Sequence, residues 1–233
     1  LEALSPSVSY DFMTQNLGFT TLVNSDLNSA ALGLGGLTYG VNTVEMAAAY
    51  SAFANNGVYT RPRTYIEVRD NKGNLVLENK QESWVAMKES TAYSINELLK
   101  GVVRSGTGTE AAFSGMTIAG KTGSTNSNND RYFVGYTPYY TAAVWVGYDT
   151  PTRIVASGNP AATLWKTFMS KVHEGLPNKD FDVGSGDMVS VTVCTQTGLL
   201  ASSGCPAQTV KVAKDYAPKL SCDAHISVTV CAD

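Results

Sequence analysis

The chain has 233 residues, of which 43% are hydrophobic and 16% charged, with a formal net charge of −3. This size fits one medium domain with a small addition, or two small domains, and the composition is that of a folded protein. The acidic balance offers no basic surface for nucleic acid, and no apolar run reaches the roughly 18–20 residues of a membrane helix. Because the chain opens Leu1-Glu2-Ala3 without an initiating Met, we expect a fragment or processed product whose anchor lies elsewhere.

The first half of the chain is predicted to be mainly helical. Residues 7–17 form a short helix that ends before Gly18. Residues 42–45 resemble a capping box, and the helix that they begin is apolar nearly all round, which is typical of a buried helix. Residues 65–78 favour a surface hairpin. A helix capped by Ser90 carries one buried stripe at helical spacing, made of Ile95, Leu98, Leu99, Val102 and Val103.

Three strands are predicted next, at about 117–123, 131–136 and 139–148. Thr137-Pro138 makes a tight turn, so the last two strands should pair antiparallel. The third strand shows little polar alternation, which predicts burial on both faces and a central place in the sheet.

A final helix completes this part, with Asn159 as N-cap, Pro160 at its first position and Gly175 after its end. Together these elements predict an α+β fold, an antiparallel sheet covered by helices. The apolar stripe expected to lie on the sheet comprises Leu164, Trp165, Phe168 and Val172.

From about Val183 the sequence changes to short β-rich segments, so we expect two parts, 1–182 and a small extension at 183–233. An even number of cysteines crowded into such a short segment favours disulfides in an oxidising compartment, where they staple a unit too small to bury much core. A zinc site is the alternative, because Cys222-x-x-His225 has ligand-like spacing, but the other cysteines form no paired C-x-x-C knuckles. We therefore expect disulfides and no metal. The cysteines are Cys194, Cys205, Cys222 and Cys231.

The most informative short motif is Lys121-Thr122-Gly123-Ser124, which follows a predicted strand and precedes a polar loop. Such a tetrapeptide also occurs by chance in surface turns, but a strand that ends in this way can line a cleft. Lys121 would supply positive charge, the hydroxyls would bind a carboxylate, and Gly123 would leave room for an acyl group. The backbone N–H of Ser124 could form half of an oxyanion hole, where one donor contributes about 3 kcal/mol. Asn126 lies close enough to contact a ligand.

Other polar and aromatic residues are interpreted as structural. His173, late in the last helix, is expected to be a solvated C-terminal cap. Trp145 and Trp165 are expected in the core, and Asp130 and Arg131 are expected to form a polar pair at a strand entry.

K-T-G is one of three signatures of penicillin-binding proteins and serine β-lactamases. In this chain it stands among further blocks in a fixed order. Over roughly residues 7–175 this order resembles the transpeptidase domain of the class A (bifunctional) penicillin-binding proteins. The cysteine-containing segment is similar to extensions of some Gram-positive members. The blocks are residues 40–50, 53–57, 105–109, 120–126, 132–138 and 145–149.

The resemblance implies the penicillin-binding protein fold and a D-Ala-D-Ala transpeptidase at the extracytoplasmic face of the bacterial membrane. In this family a serine attacks a D-Ala carbonyl of a peptidoglycan stem peptide, and the acyl group then passes to an amine of a neighbouring stem. β-Lactams acylate the same serine, and no cofactor is needed. Carried over to this chain, Lys121 and Ser124 are catalytic. Thr122, Gly123, Ser124 and Asn126 bind the substrate.

The sequence departs from the family in lacking S-x-x-K, because no serine is followed three residues later by lysine. Serine catalysis needs an activating base nearby, so we expect this chain to be inactive alone. Its expected partner is an N-terminal fragment of the same protein that supplies the serine, and the resemblance places a membrane anchor and a glycosyltransferase domain there. Ser94-Ile95-Asn96 matches the middle motif S-x-N, but it lies in a predicted helix and is interpreted as chance.

Two alternatives remain from the sequence. One is a β-lactamase or D,D-carboxypeptidase on the same scaffold. The other is a non-catalytic peptidoglycan- or partner-binding role for the segment 183–233.

Overall fold

The computed structural model of the chain describes residues 4–182 and 187–225. The chain divides into two compact units, 1–182 and 183–233. The boundary lies where the sequence changes to short β-rich segments. No helix in the described ranges combines the length and the apolar character needed to cross a membrane.

The helices of the larger unit are α1 (Pro6–Asp11), which continues as a π-helical turn (Phe12–Asn16), α2 (Ser29–Leu34), α3 (Thr43–Ala54), α4 (Glu89–Ser105) and α5 (Pro160–Val172). Its strands are β1 (Val58–Thr60), β2 (Glu67–Arg69), β3 (Leu75–Glu78), β4 (Ser83–Val85), β5 (Ala119–Ser124), β6 (Arg131–Tyr136) and β7 (Thr141–Val146). The smaller unit contains β8 (Met188–Cys194) and β9 (Ala207–Ala213), which pair antiparallel.

The main sheet has the strand order β5-β6-β7, and both of its pairings are antiparallel. Helices cover both faces, which confirms the predicted α+β arrangement. On one face Trp165 of α5 packs edge-on against Phe133 of β6, with ring centroids 5.2 Å apart. On the other face Tyr50 and Phe53 of α3 contact Tyr136, also of β6.

The prediction that the third strand is central is wrong. β6 is the central strand, and Phe133, Val134 and Tyr136 on it are all buried. β7 is mostly half-buried, and no described strand pairs with its outer edge. An apolar run shows that both faces of a strand are covered, but it does not show how many neighbours the strand has.

Helix α5 begins as predicted, with the Asn159 side chain accepting from the N–H of Ala161 at 3.0 Å. The predicted stripe is only partly right. Trp165 is fully buried, whereas Leu164 and Phe168 are 54% and 59% exposed and Val172 is also exposed. The buried face follows rows four residues apart, and small residues complete it. Its members are Ala161, Ala162, Trp165 and Met169.

Helix α4 begins at Glu89, with Lys88 rather than Ser90 as its N-cap residue. Its buried residues are Ala92, Asn96 and Val103, so the predicted stripe is only partly correct, and Leu98 is 68% exposed. A polar residue thus occupies the centre of the buried face, which an apolar pattern cannot predict.

The cap of α3 forms as predicted on one side only. Asn42 Oδ1 accepts from the N–H of Glu45 at 2.8 Å. The carboxylate of Glu45 does not return to the cap; it binds the backbone N–H and the hydroxyl of Thr20 instead. The second hydrogen bond of a capping box, from the backbone N–H of Asn42 to Glu45, is therefore not made. Glu45 instead connects α3 to the segment that follows Gly18.

His173 is buried, not solvated as predicted. Its Nδ1 donates to the carbonyl of Met169 at 2.7 Å, and its Nε2 lies 2.8 Å from the hydroxyl of Thr137. The Thr137 oxygen also accepts from the N–H groups of Tyr139 and Tyr140. The histidine thereby joins the end of α5 to the turn between β6 and β7.

The two tryptophans differ in their surroundings. Trp165 is in the core as expected, and its indole N–H donates to the carbonyl of Ala142 at 3.0 Å. Trp145 is 43% exposed, so its expected core position is wrong. Its indole N–H reaches Asp130 Oδ1 at 2.9 Å, because Trp145 lies on the edge strand β7.

In the smaller unit, Cys194, Cys205 and Cys222 are free thiols, so no disulfide joins any two of these described cysteines. Their sulfur atoms are gathered beside the imidazole of His225 rather than bonded in pairs. The expectation of disulfides is therefore wrong for these three, and Cys231 lies outside the described residues.

Candidate functional site

The Lys-Thr-Gly motif lies on β5, at one edge of the described sheet. Lys121 and Ser124 are exposed, and Thr122 and Gly123 are half-buried. The strand can carry exposed polar residues in this way because β6 covers only one of its edges. The motif therefore faces space that a ligand can enter.

The backbone of β5 presents hydrogen-bonding groups to that space. The N–H of Thr125 donates to the carbonyl of Asp130, the next pair beyond the Ser124–Arg131 pair of the ladder. Antiparallel ladders alternate between bonded and non-bonded pairs, so Gly123 and Lys121 also bond to β6. The N–H and C=O groups of Ser124 and Thr122 consequently point to the open edge, where the oxyanion donor was predicted.

Thr122 links the motif to the segment that follows α4. Its hydroxyl lies 2.8 Å from the hydroxyl of Thr107. Its carbonyl accepts from the Lys121 ammonium at 3.0 Å. The Ser-Gly-Thr-Gly block at 105–108 and the lysine motif are thus brought together, a contact that sequence reasoning did not predict.

Arg131 is the second cationic group of the site. Its Nη1 donates to the Ser124 hydroxyl at 2.9 Å, and its buried Nε has no hydrogen-bond partner among the described residues. The expected polar pair with Asp130 does not form, since Asp130 binds Trp145 instead. Sequence reasoning missed the role of Arg131, although pairing the two strands back from the loop would have placed it opposite Ser124.

The loop after the motif is closed by its own hydrogen bonds. The Thr125 hydroxyl accepts from the N–H groups of Asn129 and Asp130, each at 3.0 Å. Asn128 has φ of 57°, the left-handed conformation that asparagine tolerates better than most residues. Asn126 is exposed in this loop, beyond the end of β5.

Tyr132 forms the floor behind Gly123. A Cβ at position 123 would lie 3.0 Å from the Tyr132 Cβ, so glycine allows the two strands their close approach. Burial raises the pKa of Tyr132 to about 12, which keeps its hydroxyl neutral at physiological pH. Tyr132 therefore adds no charge to the site, whose cationic side chains are Lys121 and Arg131.

Ser94-Ile95-Asn96, the match to the middle motif S-x-N, makes its hydrogen bonds within the helices and the core. The Ser94 hydroxyl donates to the carbonyl of Ser90 within α4, and Asn96 is buried against Tyr136 and Phe53. The S-x-N pattern here serves packing.

Known proteins resemble this chain in sequence and in fold. A family model described as the penicillin binding protein transpeptidase domain matches residues 5–170. Penicillin-binding protein 1A of Clostridium acetobutylicum is 43% identical over 185 residues, which cover 78% of this chain and 22% of that protein. The chain thus spans less than a quarter of this relative.

Two solved structures are also similar. Penicillin-binding protein 1A from Haemophilus influenzae matches with a TM-score of 0.72 at 20% identity, over 89% of this chain and 36% of that one. The D,D-transpeptidase domain of a peptidoglycan glycosyltransferase from Eggerthella lenta matches with a TM-score of 0.51 at 26% identity, over 59% of this chain and 33% of that one.

The family match includes α3, α4, the whole main sheet and most of α5. It thus includes the strand that carries Lys121 to Ser124. The chain belongs to the penicillin-binding protein transpeptidase domain family.

Proposed function

We propose that this chain forms the carboxylate- and oxyanion-binding wall of a serine D,D-transpeptidase that cross-links peptidoglycan at the extracytoplasmic face of the bacterial membrane. The observation that carries the proposal is the arrangement of β5. Lys121, Thr122 and Ser124 present side-chain donors there, and the backbone groups of Thr122 and Ser124 point to the open edge. A ligand with a carboxylate and a neighbouring carbonyl fits such an edge.

In this proposal the nucleophilic serine and its lysine base come from polypeptide outside this sequence, because the chain has no S-x-x-K. The serine attacks the penultimate D-Ala carbonyl of a stem peptide. The negative charge that develops on the carbonyl oxygen is stabilised by the outward N–H of Ser124, a type of donor that contributes about 3 kcal/mol. The terminal D-Ala leaves, and an amine of a second stem then attacks the acyl-enzyme.

The side chains of the wall have separate tasks. Thr122 and Ser124 hold the terminal carboxylate of the stem peptide, and Gly123 leaves space for the acyl group. Lys121 places positive charge beside the reacting serine, where charge-assisted hydrogen bonds are stronger than neutral ones. A β-lactam carries a carboxylate next to its reactive carbonyl, so the same wall binds it.

The first test follows the covalent label. The intact protein, including the serine-bearing segment, is treated with fluorescent penicillin, cleaved between that segment and this chain, and separated under denaturing conditions. We expect label on the serine-bearing segment and none on this chain. Label on this chain would refute the assignment of the nucleophile, and rapid turnover of a chromogenic cephalosporin would favour a β-lactamase instead.

The wall itself is tested with Lys121→Ala in the intact protein. Loss of one charge-assisted hydrogen bond costs roughly 1.5–3 kcal/mol, so we expect the acylation rate to fall about 10- to 100-fold. The matched control is Lys72→Ala, which removes an exposed lysine from the turn between β2 and β3 and should leave the rate unchanged. An unchanged rate in Lys121→Ala would exclude the proposed role of β5.

A further inference from the structure

The smaller unit contains a cluster of metal-ligand side chains that the proposed function does not use. Cys194, Cys205, Cys222 and His225 each direct one ligand atom to a common centre, and these four atoms all lie within 4.8 Å of one another. The sulfurs lie 3.6, 3.6 and 3.4 Å from His225 Nδ1, in the order of the cysteines.

These distances match those of a tetrahedral zinc site. With zinc about 2.3 Å from each sulfur and about 2.0–2.1 Å from the nitrogen, tetrahedral angles place sulfur and nitrogen roughly 3.5–3.6 Å apart. A disulfide instead requires sulfurs about 2.0 Å apart, and the three cysteines are free. The cluster thus has the size of a coordination shell.

The outer contacts of the cluster also suit a metal. His225 Nε2 donates to Gln196 Oε1 at 2.8 Å. With Nε2 engaged in this contact, Nδ1 is the ring nitrogen that faces the sulfurs. Metal-binding histidines are usually oriented by such a second hydrogen bond.

A backbone donor also turns toward one of the sulfur atoms. The N–H of Ser202 donates to Cys205 Sγ at 3.3 Å. Outer hydrogen bonds of this kind hold the ligands of a metal site in their orientation.

The backbone brings the ligands together from separate segments. Cys194 ends β8 and Cys205 precedes β9. Leu200 lies between them and bridges to Val193 on one side and to Ser221 on the other. The N–H of Cys222 then bonds to the carbonyl of Leu200 at 2.8 Å.

The burial pattern supplies an independent argument. Among the described residues of the smaller unit, only Cys194 and Cys222 are buried, at 0% and 3% exposure. No large apolar side chain among residues 187–225 is buried. Units of this size generally need a crosslink or a metal to stay folded.

We propose that Cys194, Cys205, Cys222 and His225 bind a structural zinc ion that holds the smaller unit folded. Three soft thiolates and one imidazole in tetrahedral array suit zinc better than magnesium or calcium, which prefer oxygen ligands. Four protein ligands fill the tetrahedron and leave no position for substrate, so the ion is structural rather than catalytic.

The test begins with zinc content. The intact protein, including the serine-bearing segment, is purified with reductant and zinc, and metal is measured by mass spectrometry after gel filtration. We expect one zinc per chain, and nearly complete loss in Cys205→Ser. The matched control is Cys231→Ser, which removes a cysteine outside the proposed ligand set and should keep the zinc. Equal loss in both variants, or a metal-free wild-type chain, would overturn the proposal.

Further measurements separate ligation from misfolding. Cobalt in place of zinc should give the intense visible bands of a tetrahedral site with thiolate charge transfer. Gln196→Ala should keep full zinc content at saturation but weaken affinity roughly 10- to 100-fold. A disulfide between any two of the three ligand cysteines in the zinc-treated chain would contradict the site.

The structural role has its own readout. Removing zinc with a chelator should expose the three ligand cysteines to alkylation and open protease sites after Asp182, with no new sites in the main sheet. In Cys205→Ser the chelator should add no further cleavage. Zinc removal that leaves alkylation and cleavage unchanged would show that the metal does not hold this unit together.

Discussion

Asn96 shows how one buried side chain can satisfy two groups at once. Its Nδ2 donates to the carbonyl of Phe53 at 2.9 Å, and its Oδ1 accepts from the Tyr136 hydroxyl at 2.6 Å. Burial, with a smaller contribution from Tyr50, raises the pKa of Tyr136, so its hydroxyl stays protonated and donates. Asn96 thereby ties α4 to α3 and to the central strand of the sheet.

We predict that Asn96→Ala destabilises the protein by about 2–4 kcal/mol, since it leaves two buried polar groups unpaired. Ser94→Ala, in the same S-x-N pattern, should change stability by less than about 0.5 kcal/mol because the hydroxyl is exposed. Denaturant unfolding of the protein with its serine-bearing segment measures both. If Ser94→Ala instead abolished penicillin labelling, Ser94 would belong to the active site.

Residues of the candidate site could be predicted only where they are neighbours in the sequence. Lys121 to Ser124 form one motif at the end of a strand, so local reasoning reaches them. Thr107 contacts Thr122 because the segment after α4 passes beside β5. Arg131 contacts Ser124 because the register of β5 and β6 places the two residues opposite each other. The buried position of Asn96 likewise depends on Tyr136 and Phe53, which are distant in the chain.

At the scale of elements, the packing of α5 on β6 depends on close approach. A Cβ at Gly135 would lie 2.5 Å from the Phe133 ring and 2.8 Å from the Trp165 ring. Glycine therefore allows the indole to rest on the strand, and any side chain there would push the helix from the sheet.

Gly135→Ala is predicted to destabilise the larger unit by roughly 1–3 kcal/mol, the usual cost of overpacking. Gly101→Ala is the matched substitution, because a Cβ there meets nothing within 4 Å on α4. It should stabilise the helix by up to about 1 kcal/mol. Opposite signs in denaturant unfolding are expected, and equal effects would contradict this account of α5 packing.

The residue ranges of the helices and strands were more predictable than the neighbours that each element packs against. Residues 131–136 were predicted as a strand and form β6, and Asn159 with Pro160 marks the start of α5. The prediction of the central strand was wrong, and that of the buried face of α5 was only partly right. Periodicity shows which residues can be buried together, whereas burial itself depends on the chain that covers them.

At the scale of the larger unit, helix α5 exposes apolar side chains to solvent and strand β7 has an unpaired outer edge among the described residues. Leu164, Phe168 and Val172 form an exposed row on α5, and no described strand pairs with the outer edge of β7. Exposed apolar rows and open strand edges promote association. Under the proposed function, the serine-bearing segment covers this surface.

We therefore expect the isolated chain to be unstable or to self-associate, and to become monomeric and cooperative in unfolding when the serine-bearing segment is present. Sedimentation and thermal melting of the two preparations test this expectation. An isolated chain that is monomeric, soluble and melts cooperatively would show that the row on α5 needs no cover.

Arg131 also fixes the direction in which the proton of Ser124 can point. The hydroxyl oxygen accepts from Arg131 Nη1, so its own hydrogen is left for another acceptor. The Lys121 ammonium can only donate. In the proposed transpeptidase, both oxygens of a free terminal carboxylate can accept from the hydroxyls of Thr122 and Ser124, whereas a carboxamide keeps only one accepting oxygen. Amidation of a stem peptide's terminus would thus weaken its binding beside Ser124 with almost no change in shape.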